Sequence, residues 1–421
     1  MVMRRTSLLL LLAAAAWADT SSRDVAIVPK QLGLWKTLVP KCQRVYGVAF
    51  SPDGRRLAVA GEDGSVRILS TSSWKEERKL GQHAGGAWCV AWSPDGRWLA
   101  SGGLDNRSVI YDTSTWKEHQ ALGNHTAYVY GVAFSPDGKT LVTASLDATA
   151  RVWEVATGRE LHVLAGHGDG VSAAAFARDG RTLATASFDG TIRLWNTNTW
   201  AEPRLLQGHA NAVMAVAFSR HGKLLASGSG DLKVKVWDVA AAREEKSMNG
   251  HTGQVNAVAW SVDGKWIISA GGREVKLWDR KSGAEVASLV HHSGSIQGMS
   301  VDPGGRMIAS GSVDLQVKLW ATVPGGTTKL KPKGFFGVSL DNTAQKECVV
   351  AQVLAGTAAE AAGMQVGDVI LAVDGLKVAD YQEAIAAIGA HSEGDQLEFT
   401  IRRAGADMKV KAKLGKRPDG Q

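Results

Sequence analysis

The chain has 421 residues, 44% of them hydrophobic, enough apolar material for two or three packed domains. Its three cysteines, Cys42, Cys89 and Cys348, are too sparse and odd in number for a disulfide framework, so packing must supply the stability. The formal charge of +7 is diffuse, with no Lys/Arg-rich run longer than Lys329 to Lys333 and no basic stripe interleaved with aromatics, which argues against nucleic acid as a partner.

In chain order, Arg4-Arg5, an apolar run from Leu8 to Ala16 and the small-residue site Ala16-Trp17-Ala18 have the three parts of a secretory signal peptide. Cleavage is expected after Ala18, giving a leader over 1–18 and an N-terminal extension over 19–32. The apolar run is too short to cross a bilayer core of about 30 Å. The expectation is an exported protein, periplasmic or extracellular, with no integral membrane segment after cleavage.

Beyond the leader, His83, His125, His167, His209, His251 and His292 recur in four steps of 42 residues and one of 41. A period of this length is a repeat architecture. After His125, the alternation Val129, Val132, Phe134 leads into Ser135-Pro136-Asp137-Gly138, then Leu141 to Ser145, Asp147 and Arg151-Val152-Trp153. Alternating apolar runs joined by Asp-Gly are strands of a hairpin. The corner recurs at 51–54 and 93–96, and in altered form at 178–180, 220–222, 262–264 and 303–305. A further apolar run such as Leu161 to Leu164 precedes each histidine, so each unit of about 40 residues holds four strands, one propeller blade. There are seven units, the first having Lys41 where the histidine should stand.

With Gly166-His167, Gly208-His209, Gly250-His251, Trp237-Asp238 and Trp278-Asp279, residues 33–321 resemble the WD-repeat β-propeller family. The resemblance implies a mainly β, seven-bladed propeller with a hydrogen-bonded tetrad in each complete blade. The matching positions are His125/Thr143/Asp147/Trp153, His167/Thr185/Asp189/Trp195, His209/Ser227/Asp231/Trp237 and His292/Ser310/Asp314/Trp320. Incomplete or absent tetrads are expected in blade two, with Tyr111 for tryptophan, in blade six, short by a residue near Gly271-Gly272, and in blade one, with Val59 and Leu69. A metal reading of these histidines is set aside because no blade offers three or four converging ligands. After Trp320 no fourth strand follows, whereas Leu34 to Leu38 is an orphan strand, so the N-terminal strand should complete blade seven. The resemblance also implies partner binding on the face carrying the His and Asp turns; the candidates there are Trp88, Leu104, Tyr128, Tyr130, Leu146 and Phe188.

Fourteen of fifteen tryptophans lie between Trp35 and Trp320 and none lies beyond, which marks a domain boundary. The breaker-rich segment 322–333 reads as a linker. Gly334-Phe335-Phe336-Gly337, Gly363-Met-Gln-Val-Gly-Asp-Val-Ile-Leu371, a helical stretch from Tyr381 to Ile388 and a strand from Leu397 to Arg402 are similar in order to the PDZ family. This small α+β module covers 334–414, and 415–421 is a polar tail. Backbone amides at Phe336, Gly337 and Val338 could cradle a terminal carboxylate. Val338, Ser339 and Leu340 would offer an edge strand to an extended peptide, with Phe335, Tyr381, Ile385 and Ile388 along the groove.

No Gly-x-Ser-x-Gly elbow, His-Glu-x-x-His helix or complete phosphate loop occurs. No enzyme activity, metal or cofactor is therefore expected. The expectation is a non-enzymatic exported scaffold holding protein and peptide partners; the alternative is an accessory or regulatory subunit of an envelope protease or other enzyme.

Overall fold

The computed structural model describes residues 32–322, 336–342, 347–378, positions 381, 384, 387 and 388, and 394–415. The expected leader, most of the N-terminal extension and linker, Phe335, Ile385 and the tail beyond Gly415 lie outside the described residues.

The 42-residue repeat folds as seven four-stranded antiparallel sheets. In the first, Val45–Phe50 is innermost, followed outward by Arg56–Gly61, Ser65–Ser70 and Glu76–Gln82. The seventh sheet contains Ile296–Val301, Met307–Ser312 and Val317–Thr322, and takes its outermost strand, Leu32–Leu38, from the start of the repeat region. Leu34 lies opposite Trp320 and Leu38 opposite Val317.

Second strands such as Trp98–Gly103 are wholly buried, whereas outer strands such as Glu285–Val290 are largely exposed. The cores lie in the seams between successive blades. In one seam Trp237, Leu225 and Val213 of blade five pack with Leu206, Ile192 and Ala186 of blade four. Close to the axis the seams require small side chains: a Cβ at Gly47 would stand 3.2 Å from the Cα of Cys89 in the next blade, and one at Gly131 3.1 Å from the Cα of Ala173.

Every innermost strand has a register shift at its second residue. The residues skipped are Tyr46, Trp88, Tyr130, Ser172, Met214, Asn256 and Gln297. A bulge of this kind bends the strand and redirects one side chain.

The second module is a separate antiparallel sheet, in which Val338–Asn342, Cys348–Val353, Val369–Val373, Gln396–Arg403 and Ala406–Lys413 follow one another across the sheet. Its core contains Phe336, Ile370, Leu397, Phe399 and Ile388.

Candidate functional site

The blade histidines turn inward. His125 Nδ1 lies 2.7 Å from Asp147 and Nε2 2.7 Å from Thr143 Oγ1, which also accepts from Trp153 Nε1 at 2.9 Å. The same geometry joins His167 to Asp189, Thr185 and Trp195, His209 to Asp231, Ser227 and Trp237, and His292 to Asp314, Ser310 and Trp320. Burial lowers the affinities of His125, His167 and His209 for a proton, against the opposing pull of their aspartates. Asp189 is pushed up by burial, but hydrogen bonds from Thr191, the Gly168 amide and His167 outweigh this and bring it to about 2.

The three blades expected to be incomplete differ from one another. Blade two keeps the histidine half of the tetrad, His83 meeting Asp105 at 2.9 Å and Ser101 at 2.8 Å, with buried Tyr111 in the place of tryptophan. In blade six, His251 keeps Ser269 at 2.6 Å and Trp278, but the missing aspartate is replaced by Glu274, whose carboxylate stops 3.6 Å from Nδ1. That nitrogen is buried without a hydrogen bond, and burial lowers the pKa of His251 to about 4. In blade one it is Cys42, one residue beyond Lys41, that fills the histidine's place. A Cβ at Gly61 would meet its Sγ at 2.7 Å, just as one at the equivalent Gly103 would meet the His83 ring at 2.4 Å. Arg67 there binds Asp63 at 2.8 Å and Glu76 at 2.7 Å and also the Lys41 carbonyl.

The seven bulged residues, with the next two residues of most inner strands, line a cavity of about 240 Å³ on the axis, and its lining carries no charged side chain. Three consecutive positions are aromatic. Tyr46 stacks on Trp88 at 4.5 Å, Tyr130 meets the Trp88 edge at 4.9 Å, and Phe188 meets Tyr130 at 5.4 Å. Leu104 and Tyr46 both converge on Gly86, and Leu146 and Phe188 on Gly170, where a Cβ would collide with Leu146 at 2.7 Å. Trp88, Leu104, Tyr130 and Phe188 are half-buried, while Tyr128 is 43% and Leu146 37% exposed. None of these six belongs to a seam core. Tyr46, outside the expected set, joins them through the repeat register, standing 42 residues before Trp88.

In the second module the residues expected at the groove divide by role. Phe336 stacks on Phe399 at 4.3 Å and Ile388 is buried, so both side chains belong to the core. Gly337 has φ 87°, and a Cβ there would come 2.3 Å from that of Thr357, so this turn requires glycine. Val338, Leu340 and Tyr381 are half-buried against the core and Ser339 is exposed. The strand Val338–Asn342 is at one edge of the sheet, paired only with Cys348–Val353 among the described strands. The opposite edge, Ala406–Lys413, alternates exposed Lys409, Lys411 and Lys413 outward, a pattern that discourages strand addition.

Among the described residues no three His, Cys, Asp or Glu side chains gather to hold a metal, and no helix is long and apolar enough to cross a membrane.

The model of the WD domain, G-beta repeat, matches seven segments, 35–70, 74–112, 116–154, 158–196, 200–238, 243–279 and 283–321, which together make up more than half of the chain. The chain belongs to the WD-repeat family. A PDZ domain model matches residues 334–414 beyond this WD-repeat propeller. The probable periplasmic serine protease do/HhoA-like of Haemophilus influenzae is 38% identical over 72 residues, which are 17% of this chain and 16% of that protein's length. That match falls in the PDZ region and leaves the WD-repeat propeller uncovered.

Proposed function

We propose that this protein is a non-enzymatic, exported scaffold in which the aromatic channel mouth docks one protein and the PDZ domain captures an extended or C-terminal peptide of another. WD-repeat and PDZ domains together indicate protein or peptide partners. The observation that carries the finer reading is the arc Tyr46, Trp88, Tyr130 and Phe188 beside a cavity lined by uncharged side chains, with the Glu62–Arg44 pair at its rim, where Tyr46 donates to Glu62 at 3.4 Å. Aromatic residues with few charges are the composition of interface centres. The groups that could do chemistry, the tetrad histidines, are engaged inside the blades. The PDZ edge adds a second site by strand addition, and two linked sites gain from high effective concentration.

The test is capture of partners by the full chain and by Trp88→Ala and Tyr130→Ala variants. Each truncation should weaken partner binding by about 2 kcal/mol, roughly thirty-fold, and leave the unfolding midpoint unchanged. A midpoint that falls in step with binding would return these rings to the fold.

A second reading, an accessory subunit of an envelope protease, is supported by the PDZ-region likeness to a protein named as a periplasmic protease. It requires that a co-purifying hydrolase change its activity when residues 334–414 are removed.

A further inference from the structure

The diffuse positive charge becomes ordered once the repeat is folded. Each innermost strand runs from the aromatic mouth to a hairpin corner at the opposite end, and the residue after the corner glycine is basic in all seven blades: Arg55, Arg97, Lys139, Arg181, Lys223, Lys265 and Arg306. All seven are exposed. The corners share one register, because each base lies two residues before the partner of the inner strand's last residue, as in Phe50 opposite Leu57, Phe134 opposite Leu141 and Val301 opposite Ile308. The bases therefore stand at one height around the axis.

In six of the seven corners an aspartate carboxylate accepts from the amide of the base, blade five lacking one, and the Arg97 guanidinium lies over the Trp98 ring at 4.6 Å. Asp53 Oδ1 accepts from the Arg55 amide at 3.0 Å, and Asp137 Oδ1 from that of Lys139 at 3.1 Å. Among the described residues only Lys265 of the seven has an ion-pair partner, Asp263 at 3.6 Å. Six of the corners also carry an aspartate, Asp53, Asp95, Asp137, Asp179, Asp263 and Asp302, so the positive excess gathers over blades four and five, which add exposed Arg178 and Arg220, with His221 in place of the corner aspartate in blade five.

The turns between third and fourth strands open on the same face and carry Trp74, Trp116 and Trp200, half-buried and held at φ 59°, 57° and 52°. The corresponding positions in blades three and six are glycines, Gly158 and Gly283, for which that conformation is free of strain. Trp74, Trp116 and Trp200 each pack one side against a seam core, which offsets the cost of that conformation and leaves the rest of each indole at this face, while blade five has Ala242 at φ 51° there. Half-buried tryptophans beside a layer of lysine and arginine are the arrangement found at the boundary between lipid and water.

We propose that this face docks flat on a phospholipid surface rich in anionic headgroups, which leaves the aromatic mouth directed away from it. The inference is independent of the scaffold reading. A coplanar ring of bases touches a plane at every blade, whereas a nucleic acid duplex crossing the face would reach only some of them. Each base near such a surface strengthens binding by about five-fold.

The experiment is co-sedimentation of the full chain with vesicles of phosphatidylglycerol and phosphatidylcholine, or of phosphatidylcholine alone, at low and high salt. The variants are a triple Arg181→Gln, Arg220→Gln, Lys223→Gln and an opposite-face control, Arg107→Gln, Lys233→Gln, Arg273→Gln. All share residues 1–31, so differences between them report on the folded faces. The expected result is binding to anionic vesicles that is lost at high salt and falls about a hundred-fold in the corner triple, while the control binds within a few-fold of the parent. Equal losses in both triples, equal binding to uncharged vesicles, or duplex DNA held more tightly than vesicles through the same corner bases would each overturn the proposal.

Discussion

At the residue scale, one hydroxyl in each complete blade serves two donors or acceptors at once. Thr143 Oγ1 holds both His125 Nε2 and Trp153 Nε1, so Thr143→Val keeps the volume and strands two buried polar groups. Chemical denaturation should register a loss of about 3 kcal/mol. The histidines also predict a pH dependence. Burial lowers the pKa of His251 to about 4, so below the unfolded value near 6.5 the unfolded chain binds the extra proton. The stability held above pH 6.5 is therefore lost as pH falls toward 4, and thermal unfolding across that window should show a shallower slope for His251→Gln. Spacing made these tetrads legible, because each partner falls at a constant offset within its repeat. The blade-one replacement escaped because Cys42 enters from one residue further on, and a strict 42-residue register points to Lys41.

At the element scale, the two edges of the PDZ sheet differ in composition: Val338–Asn342 carries no lysine, while Ala406–Lys413 carries exposed Lys409, Lys411 and Lys413. Gly337→Ala would press a methyl carbon into Thr357 and strain a left-handed turn. It should cost the module about 1–3 kcal/mol, and peptide capture by the full chain, followed by fluorescence anisotropy, should fall with it. Normal capture with unchanged stability would mean that the turn relaxes. Alternation and Asp-Gly corners were sufficient to read strand type and blade number. They could not reveal the bulge in each inner strand, because the residue it skips has no constant type: the skipped positions range from Trp88 to Ser172 and Gln297. The basic ring was hidden for a related reason, since its members lie about one blade apart in sequence and meet only when the sheets fan around a common axis.

At the scale of the molecule, one noncontiguous strand completes the ring. Removing residues 1–38 should leave Ile308 and Trp320, both fully buried, without the cover of Leu32 and Leu34. Hydrogen exchange should accelerate first in Val317–Thr322 and then in the blades on either side, with a lower melting temperature for the whole propeller. Protection unchanged in blade seven would show that three strands suffice there.

That same pairing sets a clock on assembly. Leu32 is made before the first blade and Thr322 with the last, so closing this pairing brings together the two ends of the propeller and carries the largest loop-closure cost of its strand pairs. Six blades can settle in order of synthesis while the seventh waits, and a chain interrupted before Val317 leaves Leu32–Leu38 without the strand it pairs with.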